Sequence, residues 1–192
     1  MLSVAKPFFG QVEELYGQMD LAYAKAARAA GFLCEGCADN CCRTWFYHHT
    51  VVEIAYLARA FEELSPQLRQ KAAEKAQLAL LARAGHDPDS GPFFFLCPLN
   101  EGGRCLVYEA RPMICRLHGT AWRLGLPQGK WQHGPGCGEF EKVWQGREKG
   151  VLDRTPLYRE LAALEQALRR EGKITAKVKA SIAQLVAADF EI

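Results

Sequence analysis

No stretch of this 192-residue chain approaches the roughly 18 consecutive apolar residues of a membrane-spanning helix, so a helical membrane protein is not expected. An excess of charge of either sign is missing too. There are 24 Lys and Arg against 22 Asp and Glu, and a net charge of +2 does not suggest a nucleic-acid partner. The first residues, MLSVAKPFFGQVEELYG, are broken by Lys6, Pro7, Glu13 and Glu14 and lack a small-residue cleavage site. No signal peptide is expected, and a soluble cytoplasmic protein is the default. A G-x-G-x-x-G nucleotide loop is absent, GTAWRLGLPQG at 119–129 being a poor match. There is no internal repeat and no low-complexity tract.

What is present suffices for a core: 49% of the residues are apolar and 24% charged, so nothing in size or composition forces disulfides. The length fits one domain with an elaborated end. We expect a cysteine-cluster metal-binding domain over 1–140, with a helical hairpin inserted at 50–85, and a helical extension packed on it over 141–192. Glu141–Lys179 carries ten basic against six acidic residues, which reads as a solvated helical face.

Apolar spacing at Val12, Leu15, Tyr16, Met19, Tyr23, Ala26 and Ala30 predicts an amphipathic helix over 12–30, with Gly31 placed to end it. TVVE from Thr50 to Glu53 reads as a capping box opening a second helix that runs to about Leu64. Ser65 and Pro66 supply an N-cap and a first-turn proline for a third, ending near Gly85. This hairpin would carry the chain out and back, returning Cys97 close to Cys42. FFFLCPL and RCLVY are candidate strands around an NEGG turn, and RPMICRLHG a short helix between Pro112 and Gly119. Residues 126–140 read as a loop. A helix opens at Thr155 and Pro156 with Leu157, Leu161, Leu164 and Leu168 on one face, and a last one follows Thr175. The fold class is mainly α: a helical scaffold, a loop-rich cysteine region and at most short β pieces.

The eight cysteines are Cys34, Cys37, Cys41, Cys42, Cys97, Cys105, Cys115 and Cys137. Four fall within nine positions, flanked by Gly36, Asp39 and Asn40, which suits a built loop better than buried apolar filler. A thioredoxin-type dithiol needs a strand–loop–helix setting, whereas a helix precedes Cys34. In a reducing compartment, clustered thiols are metal ligands more often than disulfides. Zinc and iron–sulfur centres both take about four thiolates, so eight cysteines fit two sets, or one with spares. Adjacent side chains in extended backbone diverge, so Cys41 and Cys42 are read as serving different metals or different irons.

The pattern C-x2-C-x3-C-C, then C-P, a Gly-containing turn to C-x-x-Y-x-x-R-P, and C-R is matched by Cys34, Cys37, Cys41, Cys42, Cys97, Pro98, Cys105, Tyr108, Arg111, Pro112, Cys115 and Arg116. In this the chain resembles the YkgJ family of cysteine-cluster proteins, described as a zinc- or iron-chelating domain. The resemblance spans 34–116. Downstream the family often has C-P-G-x-G where this chain has GPGCGEF, with Cys137 as the corresponding ligand. The helices after Phe140 lie outside the pattern.

Between Cys34 and His49, and between Cys97 and Ala121, no Lys occurs; the cations there are Arg43, Arg104, Arg111 and Arg116, beside the acidic Glu35, Asp39, Glu101 and Glu109. A four-thiolate site holding zinc or a cubane core carries about −2, which a planar guanidinium offsets well. Arg111 and Arg116, flanking Cys115, are therefore expected to support the site. Tyr108 reads as a packed ring, and His48, His49 and His118 as surface or capping residues. The first functional reading is a protein holding an iron–sulfur cluster ([4Fe–4S] type) or zinc, in redox or metal handling, with an unidentified protein or redox partner. The Cys–Pro step, a habit of ferredoxin loops, tips the choice slightly towards iron–sulfur. A second reading follows from a resemblance of the cysteine motif to flagellin lysine methylase: a cluster-containing protein-lysine methyltransferase-like enzyme. A third is a structural-zinc interaction module.

Overall fold

The structure is a computed structural model and describes residues 2–34, 41–146 and 149–191. It is mainly α with short β pieces, as the sequence predicts. In chain order the helices are α1 (Leu2–Ala5), α2 (Phe9–Ala30), α3 (Val51–Glu62), α4 (Pro66–Ala84), α5 (Met113–Arg116), α6 (Gly138–Trp144), α7 (Thr155–Glu171) and α8 (Ile182–Ala187). The strands are β1 (Asn100–Glu101), β2 (Arg104–Cys105), β3 (Trp122–Gly125), β4 (Trp131–Gly134) and β5 (Leu152–Asp153). Among the described residues no helix is long and apolar enough to cross a membrane. The chain forms two compact units, one made of Met1–Phe9, Cys42–Pro112 and Ala167–Ile192, the other of Gly10–Cys41 and Met113–Gln166.

The first unit is organised by α3, which is buried on nearly every side from Val51 to Ala58 and again at Phe61. An apolar helix of this kind has no solvent face to orient it, so its neighbours do. Phe9 meets Tyr56 edge-on, with ring centroids 5.4 Å apart, and Arg59 lies 4.3 Å over Tyr56. The Thr50 side chain does not cap the helix by accepting a backbone N–H. Its hydroxyl instead donates to the Glu53 carboxylate at 2.6 Å, because a buried carboxylate needs the donor more than a backbone N–H needs the acceptor. Ser65 caps α4 as expected, accepting from the Leu68 N–H at 3.3 Å, with Pro66 in the first turn. The buried stripe of α4 is Ala72, Ala76 and Ala79, small residues that admit close approach to α8.

The C-terminal helix starts later than the sequence suggests. Ser181 and Gln184 form a capping box that opens α8, while the residues before it stay extended. The cause is non-local: His48 and Ala180 exchange backbone hydrogen bonds of 2.7 and 3.1 Å, which holds 180 as strand. His48 is therefore buried, contrary to a surface reading, and its Nε2 has no hydrogen-bond partner among the described residues.

In the second unit α2 ends in a Schellman motif. The Gly31 N–H bonds the Arg28 carbonyl at 3.0 Å and the Phe32 N–H the Ala27 carbonyl at 2.9 Å, with Gly31 at φ 72°. Phe32 then packs edge-on against Phe140, 5.3 Å between centroids, over Ala27, Ala30 and Ala121. A three-stranded sheet in the order β4–β3–β5 completes the unit, β3 antiparallel to β4 and parallel to β5. Residues 131–134, expected as loop, are strand because they pair across a tight turn with Trp122–Gly125. The buried Arg154 donates to the Leu117 carbonyl at 2.5 Å and lies over Trp122.

The His48 environment gives a pH prediction. Burial, with a smaller effect of His49, pushes its imidazole from the usual 6.5 down to about 4. The folded state holds it neutral, so the unfolded chain takes up the proton first as pH falls. Stability is full above about 6.5 and is lost progressively towards about 4, by on the order of 3 kcal/mol. Urea unfolding of the parent and His48→Phe across this window should show a steeper pH slope in the parent; parallel profiles would exclude the effect.

Candidate thiol site

In the first unit two sequence-distant segments meet as a short antiparallel pair. Thr44 bridges Phe94, the Phe95 N–H bonds the Arg43 carbonyl at 3.0 Å, and the Cys97 N–H bonds the Cys42 carbonyl at 2.6 Å. The expected return of Cys97 to Cys42 is thus present in the main chain. Beyond Cys97 the chain turns at once. The Asn100 N–H bonds the Cys97 carbonyl at 2.9 Å, and the Leu99 N–H is directed to the Cys97 sulfur. β1 and β2 form a hairpin with Asn100 opposite Cys105, closed by Gly102 and Gly103 at φ 57° and 86°. Only glycine takes two consecutive left-handed positions cheaply, which is what the NEGG sequence supplies. The strands are shorter than FFFLCPL and RCLVY suggest, because Pro98 lacks a ladder donor and FFFL is engaged with 42–44 instead.

Cys42, Cys97 and Cys105 are half-buried, and the first and last lie near enough to act electrostatically on the Cys97 thiol. Burial pushes that thiol up to about 12, with Cys105 and Cys42 adding to the rise, while the Leu99 N–H and the Lys75 ammonium oppose it. At neutral pH the Cys97 proton is accordingly retained, and the thiol is no nucleophile in this state.

The lysine is the residue that the sequence does not reveal. The cysteine windows lack Lys, yet α4 delivers Lys71 and Lys75, one turn apart, to the turn of the hairpin. Lys75 Nζ bonds the Asn100 carbonyl at 2.8 Å and Glu101 Oε2 at 2.6 Å, and Lys71 bonds Glu101 Oε1. Hydrogen bonds from Lys71 and then Lys75 hold the Glu101 carboxyl down to about 2. The i, i+4 spacing on one helix face is the only sequence trace of this clamp.

The second unit holds the remaining cysteines. Cys34 is exposed just past the end of α2, and Cys115 sits on α5. Cys137 stands at the N-terminus of α6. Its N–H bonds the Gly119 carbonyl at 2.8 Å, and its carbonyl receives the Glu141 N–H at 3.0 Å. Gly136 beside it has no room for a side chain, since a Cβ would collide with the Phe140 ring and the Gly119 carbonyl. Cys37 and the side chain of Cys41 lie outside the described residues. The boundary between the two units falls between the neighbours Cys41 and Cys42. Among the described residues no group of three or more His, Cys, Asp or Glu side chains is arranged so as to hold a metal ion.

The arginines differ from each other. Arg116 has a side chain only 2% exposed; its Nη1 bonds Asp20 Oδ2 at 2.6 Å and its guanidinium lies 4.2 Å over Tyr16. Arg111 stacks 3.5 Å over Tyr108, which is 53% exposed rather than packed beneath the loop. Phenol and guanidinium shield each other at the surface there, so the ring needs no cavity.

Comparison with protein-family models, with curated proteins and with solved structures returns no match.

Two outcomes are expected. Lys75→Gln should loosen the hairpin, so that native-state hydrogen exchange at the Leu106 amide, which bonds the Leu99 carbonyl at 2.8 Å, accelerates relative to the parent; an unchanged rate would remove the clamp's role. Arg116→Lys should cost about 1–2 kcal/mol in urea unfolding, whereas Arg111→Lys should cost less than about 1 kcal/mol. Equal losses would contradict the buried pairing.

Proposed function

We propose that this chain is a cytoplasmic thiolate metal-binding protein of the YkgJ type, holding an iron–sulfur cluster in preference to zinc and acting in redox or metal handling. The observation that supports the reading is the 2.6 Å hydrogen bond from the Cys97 N–H to the Cys42 carbonyl, which joins the main chain at two sequence-distant cysteines, with Cys105 on the adjoining β1–β2 hairpin. A thiol that burial and two further thiols disfavour as an anion ionises when a cation replaces its proton. The Leu99 N–H and Lys75, which already favour the anion of Cys97, support the same end.

Cys42, Cys97 and Cys105 form one thiol set in this proposal, and Cys34, Cys37, Cys41, Cys115 and Cys137 supply another, with Cys41 and Cys42 serving different metals or irons. Arg116, next to Cys115 in the chain, offsets thiolate charge there. An iron–sulfur cluster would provide one-electron transfer; zinc would provide a redox-inert crosslink.

Metal and acid-labile sulfide analysis of protein prepared without oxygen is the test. Iron with sulfide and a brown, oxygen-bleachable colour is the expected result. Zinc without sulfide would replace the cluster by a structural centre, and a chain purified with neither metal, and taking up neither, would end the proposal. Cys41→Ser and Cys42→Ser should each remove a separable part of the metal; identical and complete loss in both would mean a single shared centre.

A further inference from the structure

A cavity of about 580 Å³ opens beside the β3–β4 hairpin, lined by residues 125–131 of the turn and by Asp153, Thr155, Pro156 and Arg159. This is the size of pockets that take small ligands, roughly 300–1,000 Å³. No cysteine lines it, and the thiol chemistry makes no use of it.

Charge is the first clue to its occupant. The Asp153 carboxylate is already engaged, accepting from Arg123 at 3.1 Å and from the Thr155 N–H at 3.0 Å. Lys130 and Arg159 also line the cavity, and neither has an ion-pair partner among the described residues. Two unanswered cations therefore border a largely apolar wall that includes Leu126, Pro127 and Pro156. The second clue is Trp131, whose indole is 51% exposed and is braced by the Arg123 guanidinium 5.1 Å from its ring. A large ring left open to water offers a stacking surface. The wall is also held in place: the Gly125 N–H bonds Thr155 Oγ1 at 2.8 Å, and the Leu126 N–H closes the turn on the Lys130 carbonyl at 2.7 Å.

From these features we infer that the cavity binds a planar aromatic ring carrying a phosphate, the chemistry of a nucleoside monophosphate. The ring stacks on Trp131, and the phosphate is met by Lys130 and Arg159. A bare inorganic anion would leave the indole and the apolar wall unused, and a neutral ring would leave both cations unanswered. The turn belongs to GTAWRLGLPQG, which fails as a glycine-rich phosphate loop. Recognition here is by side chains: the Thr155 N–H at the start of α7 is already bound to Asp153, and Pro156 has no N–H to offer.

Isothermal titration of the full chain with AMP, adenosine and inorganic phosphate tests this. AMP should bind more tightly than either fragment. Trp131→Ala and Arg159→Gln, checked for native circular dichroism, should each weaken AMP about tenfold, as lost stacking and a lost charged hydrogen bond do, while Lys6→Gln binds like the parent. The inference fails if AMP does not bind at millimolar concentration, if phosphate binds as tightly as AMP, or if either of the two cavity variants binds AMP like the parent.

Discussion

The hydrogen bond from the Cys97 N–H to the Cys42 carbonyl is the constraint on which the thiol-bearing part of the first unit depends. It closes a loop that contains all of α3 and α4. The entropy of closing such a loop grows only slowly with its length, so two whole helices inside it are tolerable. Those helices also make the closure specific. α3 is fixed by burial on almost every side, and α4 lies against α8 through alanines. Once 42 and 97 are joined, the turn at Pro98 and the Gly102–Gly103 hairpin leave Cys105 little freedom, and Lys75 ties that turn back to α4.

Much of the helical framework was legible because helix ends are written locally. Gly31 marks the Schellman stop of α2, and Ser65–Pro66 the start of α4, each within a few residues of the bonds they make. Misreadings arose where a distant partner decides. Thr175 looked like the opening of the last helix, but Ala180 is held extended by His48, and only after Ser181 can the backbone turn helical. Residues 131–134 sit within the Gly- and Pro-rich stretch 126–140 that reads as loop, and become strand through pairing with β3.

The site followed the same division. The NEGG turn pointed to the hairpin, since its two glycines act within one short stretch. The Lys71–Lys75–Glu101 clamp was hidden, because its cations come from a helix with no cysteine on it. Tyr108 illustrates the opposite error: an aromatic ring beside a cysteine motif suggests burial, whereas stacking with Arg111 stabilises it at the surface.

The two units are interleaved along the chain, which passes from one to the other after Phe9, Cys41, Pro112 and Gln166. No single cut of the polypeptide therefore yields either unit as a contiguous fragment. Synthesis delivers the first unit in three separated segments, so its closing contacts wait for residues 167–192 to emerge. A topology with such large sequence separations folds slowly for its size. Until Ala180 arrives to cover the backbone of His48, the newly made chain exposes an unpaired strand edge, and that interval is when aggregation would compete with folding.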